Sequence, residues 1–208
     1  MITLHHLAFS RSLRILWLLE ELGLEYELVS YDRTPEFRAP PELAKIHPLG
    51  KSPVIVDGDL VLAESATILR YIHDRHGNGR FTPPAGTPQH ALHEEWLDYV
   101  ESSAGTPIML KLLGDRMGGL SDGMTAYAKP ALAKTLDYVA AGVGEKPFLM
   151  GEQPMLADMQ MGYLLAVAEM AGALTDYPAL AAYLDRIRQD PGMVKALAKG
   201  GPMTPPKT

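Results

Sequence analysis

Apolar and polar positions along the chain change their period once, near residue 80. Before that point, short runs of two kinds alternate. Ile2 to Leu7 (ITLHHL) alternates imperfectly and reads as a strand, with His5 and His6 on opposite faces. From Arg11 to Leu22 the set Leu13, Leu16, Trp17 and Leu19, with Ile15 and Leu18 beside it, predicts a largely buried helix that Gly23 ends. EYELVSY, residues 25–31, is a second strand, so strand, helix and parallel strand make a βαβ unit with a right-handed crossover. Residues 32–46 are irregular and marked by Pro35, Pro40 and Pro41, with a short helix at 42–46. KSPVIV and LVL then read as strands joined by the tight turn Asp57-Gly58. Ile68, Leu69 and Ile72 recur at helical spacing after Glu64 and Ser65.

Glycine and proline concentrate in GNGRFTPPAGTP, residues 77–88, which marks a linker. Beyond it helical periods dominate, over roughly 89–113, 123–141, 156–171, 178–189 and 191–199, and the tail GGPMTPPKT is expected to fray. The order βαβ followed by ββα is a thioredoxin-like layout. The expected architecture is therefore an α/β thioredoxin-like domain over residues 1–80 and an all-α domain over 88–208.

Composition narrows the function. Of 208 residues, 47% are hydrophobic, enough for a core, and 19 basic against 25 acidic residues give a net charge of −6. No Lys/Arg run and a negative balance argue against a nucleic-acid surface. No apolar stretch reaches membrane-spanning length. The amino-terminus runs straight into a strand pattern without the features of a signal peptide, so a cytoplasmic protein is expected. There is no cysteine. A protein-thiol nucleophile, a disulfide and a thiolate metal site are thereby excluded.

Two constellations stand out. Pro53 opens a strand that should be central, where a missing N–H is unwelcome. A cis Ser52-Pro53 bond turns the chain there and presents the Ser52 backbone to an extended peptide ligand. Glu64-Ser65, at a helix start, offers one carboxylate and one hydroxyl beside free N–H groups, which suits the amine and carboxylate of an amino-acid head. Ser10-Arg11-Ser12 occupies another helix start, where serine also serves as an ordinary N-cap.

HPLGKSPVIVDGDLVLAES resembles the cis-proline and Glu-Ser region of the glutathione transferases, and HHLAFSRSLRILWLLEELGLEYELV resembles their first strand, active-site turn and first helix. The resemblance extends, more weakly, through the helical half. It implies a cytosolic transferase of the serine type, with glutathione as co-substrate and no metal. Ser10 then hydrogen-bonds the glutathione sulfur, with Ser12 the alternative two residues further into the turn and Arg11 assisting electrostatically. Lys51 lies near the glycine carboxylate of glutathione, Ser52 and Pro53 pair with its backbone, and Glu64 and Ser65 hold its amino-acid head. Trp96, Tyr99 and Met109, on the first helix after the linker, are the expected wall of an apolar electrophile site. The resemblance further implies a homodimer. The competing reading is a binding protein of the same fold, carrying apolar ligands or contacting another protein. A disulfide reductase is disfavoured by the missing cysteine.

Two smaller expectations complete the picture. Asp158 in LADMQMG matches half of a Ser/Thr-x-x-Asp capping box, with Met155 where the hydroxyl belongs, which predicts a weaker helix start. His73/His76 and His90/His93 are i, i+3 pairs that lack an evident third metal ligand and are expected on the surface.

Overall fold

The computed structural model describes residues 1–206 and divides the chain into two compact units, one of residues 1–81 with 188–206, the other of residues 82–187. In the first, β1 (Ile2–Leu7) lies between a parallel β2 (Tyr26–Tyr31) and an antiparallel β3 (Val54–Asp57). The latter pairs with β4 (Leu60–Ala63), giving the order β2-β1-β3-β4. The hairpin expected at Asp57-Gly58 forms one residue further on: Asp57 pairs with Leu60, so the two loop residues are Gly58 and Asp59.

The stripe read from the sequence becomes α1 (Ser12–Leu22), with Leu13, Ile15, Leu16, Trp17, Leu18 and Leu19 all buried. Gly23, at φ 63°, takes the left-handed conformation that closes the helix. A short α2 (Glu42–Ile46) follows β2, and α3 (Ser65–His76) follows β4 and packs on α1.

The helical unit holds α4 (Pro88–Tyr99), a π-helical turn (Val100–Ala104), α5 (Gly105–Arg116), α6 (Asp122–Val143), α7 (Leu156–Met170) and most of α8 (Pro178–Gln189). The single helix expected over 89–113 is thus interrupted by a π turn, whose extra residue per turn leaves no mark in a periodicity averaged over many residues. The start of α7 is stronger than Met155 implies. Asp158 is fully buried and accepts hydrogen bonds from the N–H groups of Met155 (2.8 Å) and Leu149 (2.9 Å) and from the Tyr183 hydroxyl. His93, expected on the surface, is 0% exposed. Its Nε2 accepts from the Ala157 N–H at 3.3 Å, so an imidazole from α4 satisfies a helix-start donor that a serine hydroxyl would otherwise have shared in serving.

The last helix, α9 (Pro191–Gly200), was expected within the helical domain but packs on α1 of the sheet-based unit. The tail beyond it is partly tied down, because Met203 is buried; the expectation of fraying at residues 207–208 lies outside the described residues. Asp190 joins the two helices. Its carboxylate caps α9 through the N–H groups of Gly192 (3.1 Å) and Met193 (3.2 Å) and accepts from the Trp17 indole at 2.7 Å. Glu21 of α1 reaches the same Gly192 N–H at 3.0 Å. Burial and the neighbouring Asp190 carboxylate push the Glu21 pKa up to about 7.

Because this pKa is raised on folding, the Glu21 proton binds the folded chain more tightly than the unfolded one. Its contribution is complete below the ordinary glutamate value of about 4.3 and is lost as pH rises towards 7. Glu21→Gln keeps a donor towards Asp190 at every pH. Thermal unfolding should therefore find the variant more stable than the wild type above pH 7, with the difference shrinking as pH is lowered to 5. A difference independent of pH would mean that the raised Glu21 pKa does not set the stability of this contact.

Candidate functional site

The strand register brings three chain segments to one end of the sheet. His5 stands opposite Val54, and Val54 opposite Ala63. Ser52-Pro53, just before Val54, and Glu64-Ser65, just after Ala63, therefore flank the same pair of positions. β1 runs out at that end too, into the turn Ala8-Phe9-Ser10, and β2 ends beside it with Tyr31 opposite Leu7.

The turn is fixed from β2's side. The Ala8 N–H donates to the Tyr31 carbonyl at 3.0 Å. Phe9 sits at φ 54°, a left-handed conformation unusual for a bulky residue. Arg33 holds it there: Nε donates to the Ala8 carbonyl (2.9 Å), Nη2 to the Phe9 carbonyl (2.8 Å) and Nη1 to the Phe37 carbonyl (3.1 Å). The guanidinium also lies 4.4 Å from the centre of the Phe37 ring, which stacks on Phe9. Sequence reasoning missed Arg33, because it stands in an irregular stretch and becomes relevant only through the β1/β2 register.

Ser10 and Ser12 are placed differently. Ser12 is 0% exposed and its hydroxyl lies 2.8 Å from His6 Nδ1, 2.7 Å from the Ser10 hydroxyl and 3.3 Å from the Leu7 N–H. Ser10 retains 6% exposure, accepts from the Ser12 N–H at 3.2 Å and stands at the start of α1. Of the two hydroxyls left open by the sequence, only that of Ser10 belongs to a residue with surface to offer a ligand. Arg11 is half-buried in the same turn, and its carbonyl accepts from the Arg14 N–H at 3.1 Å.

The peptide bond before Pro53 is cis. The Ser52 hydroxyl faces inward: it donates to the His5 carbonyl at 2.8 Å and accepts from the Leu7 N–H at 3.2 Å. Its side chain thus anchors the proline loop to β1. Lys51, next to it, is exposed.

At the start of α3 the Glu64 carboxylate makes no capping hydrogen bond, although acids and serines at helix starts are ordinarily caps. Glu64 is exposed and adopts φ 72°, ψ 116°, a conformation costly for a residue with a Cβ. Ser65 is buried at the first helical position. A carboxylate held outward on a strained backbone at a helix start is an arrangement that a cap does not require.

Trp96, Tyr99 and Met109 belong to the helical unit. There a cavity of about 620 Å³ is lined by Tyr99, Tyr127, Tyr138, Thr135 and Lys134, with Ser102 and Ser103 of the π turn. Trp96 is buried behind it, stacked on Tyr138 with ring centres 4.8 Å apart and edge-on to Tyr99. Met109, on α5, does not line it. Hydrogen bonding to Glu95, with burial, pushes the Tyr138 hydroxyl up to about 12, so it stays protonated at physiological pH. Among the described residues no group of three or more His, Asp or Glu side chains is arranged to hold a metal ion, and no helix is long and apolar enough to cross a membrane.

The family descriptions "Glutathione S-transferase, N-terminal domain" and "Glutathione S-transferase, C-terminal domain" match residues 1–74 and 109–186. "Glutathione S-transferase 1" of Saccharomyces cerevisiae is 32% identical over 91% of this chain and 91% of its own length. The chain belongs to the glutathione S-transferase family. "Glutathione S-transferase 3" of Schizosaccharomyces pombe is also 32% identical, over 81% of this chain and 75% of its own. Among solved structures, a glutathione S-transferase from Actinobacillus pleuropneumoniae superposes with a TM-score of 0.89 at 37% identity, covering 96% of this chain and 93% of that one. The thioredoxin-like sheet unit and the helical unit are the two parts of that family's fold.

The backbone at Glu64 can be tested without any ligand. Glu64→Gly removes the Cβ that makes φ 72° costly, whereas Glu64→Ala retains it. Chemical denaturation should find the glycine variant at least as stable as the alanine variant, by up to about 1 kcal/mol, despite the entropy that glycine adds to the unfolded chain. An alanine variant clearly more stable than the glycine variant would mean that this backbone carries no strain.

Proposed function

We propose that this chain binds glutathione at the sheet end assembled from Ser10, Lys51, Ser52, Pro53, Glu64 and Ser65, and converts its thiol to a thiolate that attacks an apolar electrophile. The observation that carries the reading is Ser10: a hydroxyl at the start of α1, retaining some exposure, in the same sheet end as an exposed carboxylate on a strained backbone. A free thiol with a pKa of about 8.5 is only a few per cent thiolate at neutral pH. One hydroxyl donor and the partial positive charge of a helix start favour the anion. Lys51 neutralises the glycine carboxylate of the tripeptide, Ser52 offers its backbone, and Glu64 and Ser65 take the amine and carboxylate of the γ-glutamyl head. Arg11 adds positive charge to the turn.

The thiolate forms a carbon–sulfur bond and the leaving group departs with the bonding electrons. A peroxide oxygen is an alternative electrophile, with the alcohol as leaving group. Proximity supplies the remainder of the rate gain. Trp96, Tyr99 and Met109 were the expected electrophile wall; of these, Tyr99 is the residue whose place on the tyrosine-lined cavity supports contact with an apolar body. The biological setting in this reading is cytoplasmic detoxification by a homodimer with α3 and α4 near the two-fold axis.

Ser10→Ala tests the assignment. Affinity for glutathione should stay close to that of the wild type, because most contacts are to the tripeptide's backbone and termini. The bound thiolate loses one charge-assisted hydrogen bond, about 1.5–3 kcal/mol, so its pKa should rise by roughly one to two units. Turnover at neutral pH should fall about ten- to a hundredfold and partly recover as pH is raised. Thiolate absorbance followed against pH reads the shift directly, and an unmoved titration in Ser10→Ala would sink the assignment.

A further inference from the structure

Behind Ser10 runs a chain of hydrogen bonds that ends on a buried imidazole. The Ser10 hydroxyl lies 2.7 Å from that of Ser12, Ser12 lies 2.8 Å from His6 Nδ1, and His6 Nε2 lies 2.8 Å from the carbonyl of Gly200 on α9. His6 is 3% exposed. Gly200 leaves room for this contact: a Cβ there would come within 2.8 Å of Leu16 and 3.0 Å of the His6 ring.

The direction of every proton in this chain follows from its far end. A carbonyl only accepts, so His6 carries a proton on Nε2. With the imidazole neutral, Nδ1 is an acceptor and the Ser12 hydroxyl donates to it; the Leu7 carbonyl, at 3.4 Å, is a poorer alternative. Ser12 Oγ is then an acceptor towards Ser10, and the Ser10 proton points inward. In that state Ser10 can only accept from a thiol. To donate to a thiolate it needs its proton turned outward, and the whole chain then runs the other way: Nδ1–H to Ser12, Ser12 to Ser10, Ser10 to sulfur. That polarity requires a proton on both nitrogens of His6.

We propose that His6 takes up the glutathione thiol proton through Ser12 and Ser10, so that thiolate formation and His6 protonation are one event. The thiol S–H bond breaks and its proton bonds to Ser10 Oγ. The former Ser10 proton passes to Ser12, and the former Ser12 proton passes to His6 Nδ1. The electron pair stays on sulfur, the positive charge ends on the imidazolium, and the net charge of the site is unchanged. No oxidant or co-reactant is needed. Once the thiolate has reacted, the imidazolium returns a proton along the same path, and Ser10 passes it to the leaving-group anion or to water, which restores the neutral imidazole. His6 and Ser12 touch neither ligand nor electrophile, so they are positioning residues that act through Ser10.

The surroundings of His6 fit this role. Burial lowers its pKa and the Gly200 carbonyl partly restores it, so the resting imidazole is neutral at physiological pH. The charged residues on the two helices around it are Arg14, Glu20 and Glu21 on α1 and Lys195 and Lys199 on α9; Lys199 is paired with Glu20 at 2.6 Å. A lone imidazolium would be disfavoured in this buried place. Transfer from a thiol of pKa about 8.5 to an imidazole below about 6.5 is unfavourable by at least a hundredfold when the groups are isolated. It is offset because the contacts at both ends of the chain become charge-assisted, at Ser10 to sulfur and at both nitrogens of His6.

This inference rests on thiol activation by Ser10, and the experiment separates the two. Glutathione is bound to the full-length protein in weak buffer, with thiolate absorbance and proton release measured together. The ¹⁵N signals of the His6 imidazole are recorded in parallel, with S-methylglutathione, which has no thiol proton, as control ligand. The wild type should form thiolate with close to no proton released, while His6 changes from the neutral Nε2–H form to imidazolium with glutathione only. Ser12→Ala, which interrupts the chain but leaves His6 in place, should release close to one proton per thiolate and leave His6 neutral. Thiolate formation in the wild type with one proton released and His6 neutral overturns the relay but not the role of Ser10. Binding without any thiolate overturns thiol activation, and the relay with it.

Discussion

The carboxyl end of β1 is the constraint on which the site depends. Two groups there, the His5 carbonyl and the Leu7 N–H, lie where the strand stops pairing with β3. Two serine hydroxyls complete them: Ser52 bridges His5 and Leu7, and Ser12 shares the same Leu7 N–H. A buried backbone group left without a partner costs about as much as a lost hydrogen bond. Satisfying these groups therefore fixes two loops at once, the proline loop before β3 and the turn into α1. Arg33 fixes that turn from the other side, through the carbonyls of Ala8 and Phe9.

With the two loops pinned, the groups proposed to meet a ligand need little support of their own. Ser10 inherits its position from Ser12, and Glu64 from the strand pair Val54–Ala63. This explains why a strained backbone is tolerated at Phe9 and Glu64, where the chain leaves the sheet: the register on one side and a helix on the other over-determine both residues.

The local features of this site are legible in the sequence, and the distant ones are not. Pro53 in a central strand, Glu64-Ser65 at a helix start and Ser10 at another each announce themselves through a residue type that is out of place or rich in donors. So do the βαβ order and the change of period near residue 80. Arg33, His6 and Gly200 are invisible at that level, because their roles come from contacts 24 to 194 residues away. An Arg in a loop, a His in a strand and a Gly at a helix end are each unremarkable locally. His93 fails as a surface expectation for the same reason: its partner, the Ala157 N–H, lies 64 residues on, and a helical pattern cannot reveal a donor waiting on another helix. The same lack of long-range information places α9 with the helical half, although Trp17 and Glu21 hold it to α1.

The central claim is that glutathione lies across this sheet end with its sulfur at Ser10, and the most direct measurement is a high-resolution crystal structure of the complex with glutathione. The account predicts the sulfur within hydrogen-bond reach of Ser10 Oγ, the cysteinyl backbone paired with Ser52, and the γ-glutamyl amine on the Glu64 carboxylate. A complex in which the tripeptide occupies another surface, or in which its sulfur points away from Ser10 towards solvent, would contradict it.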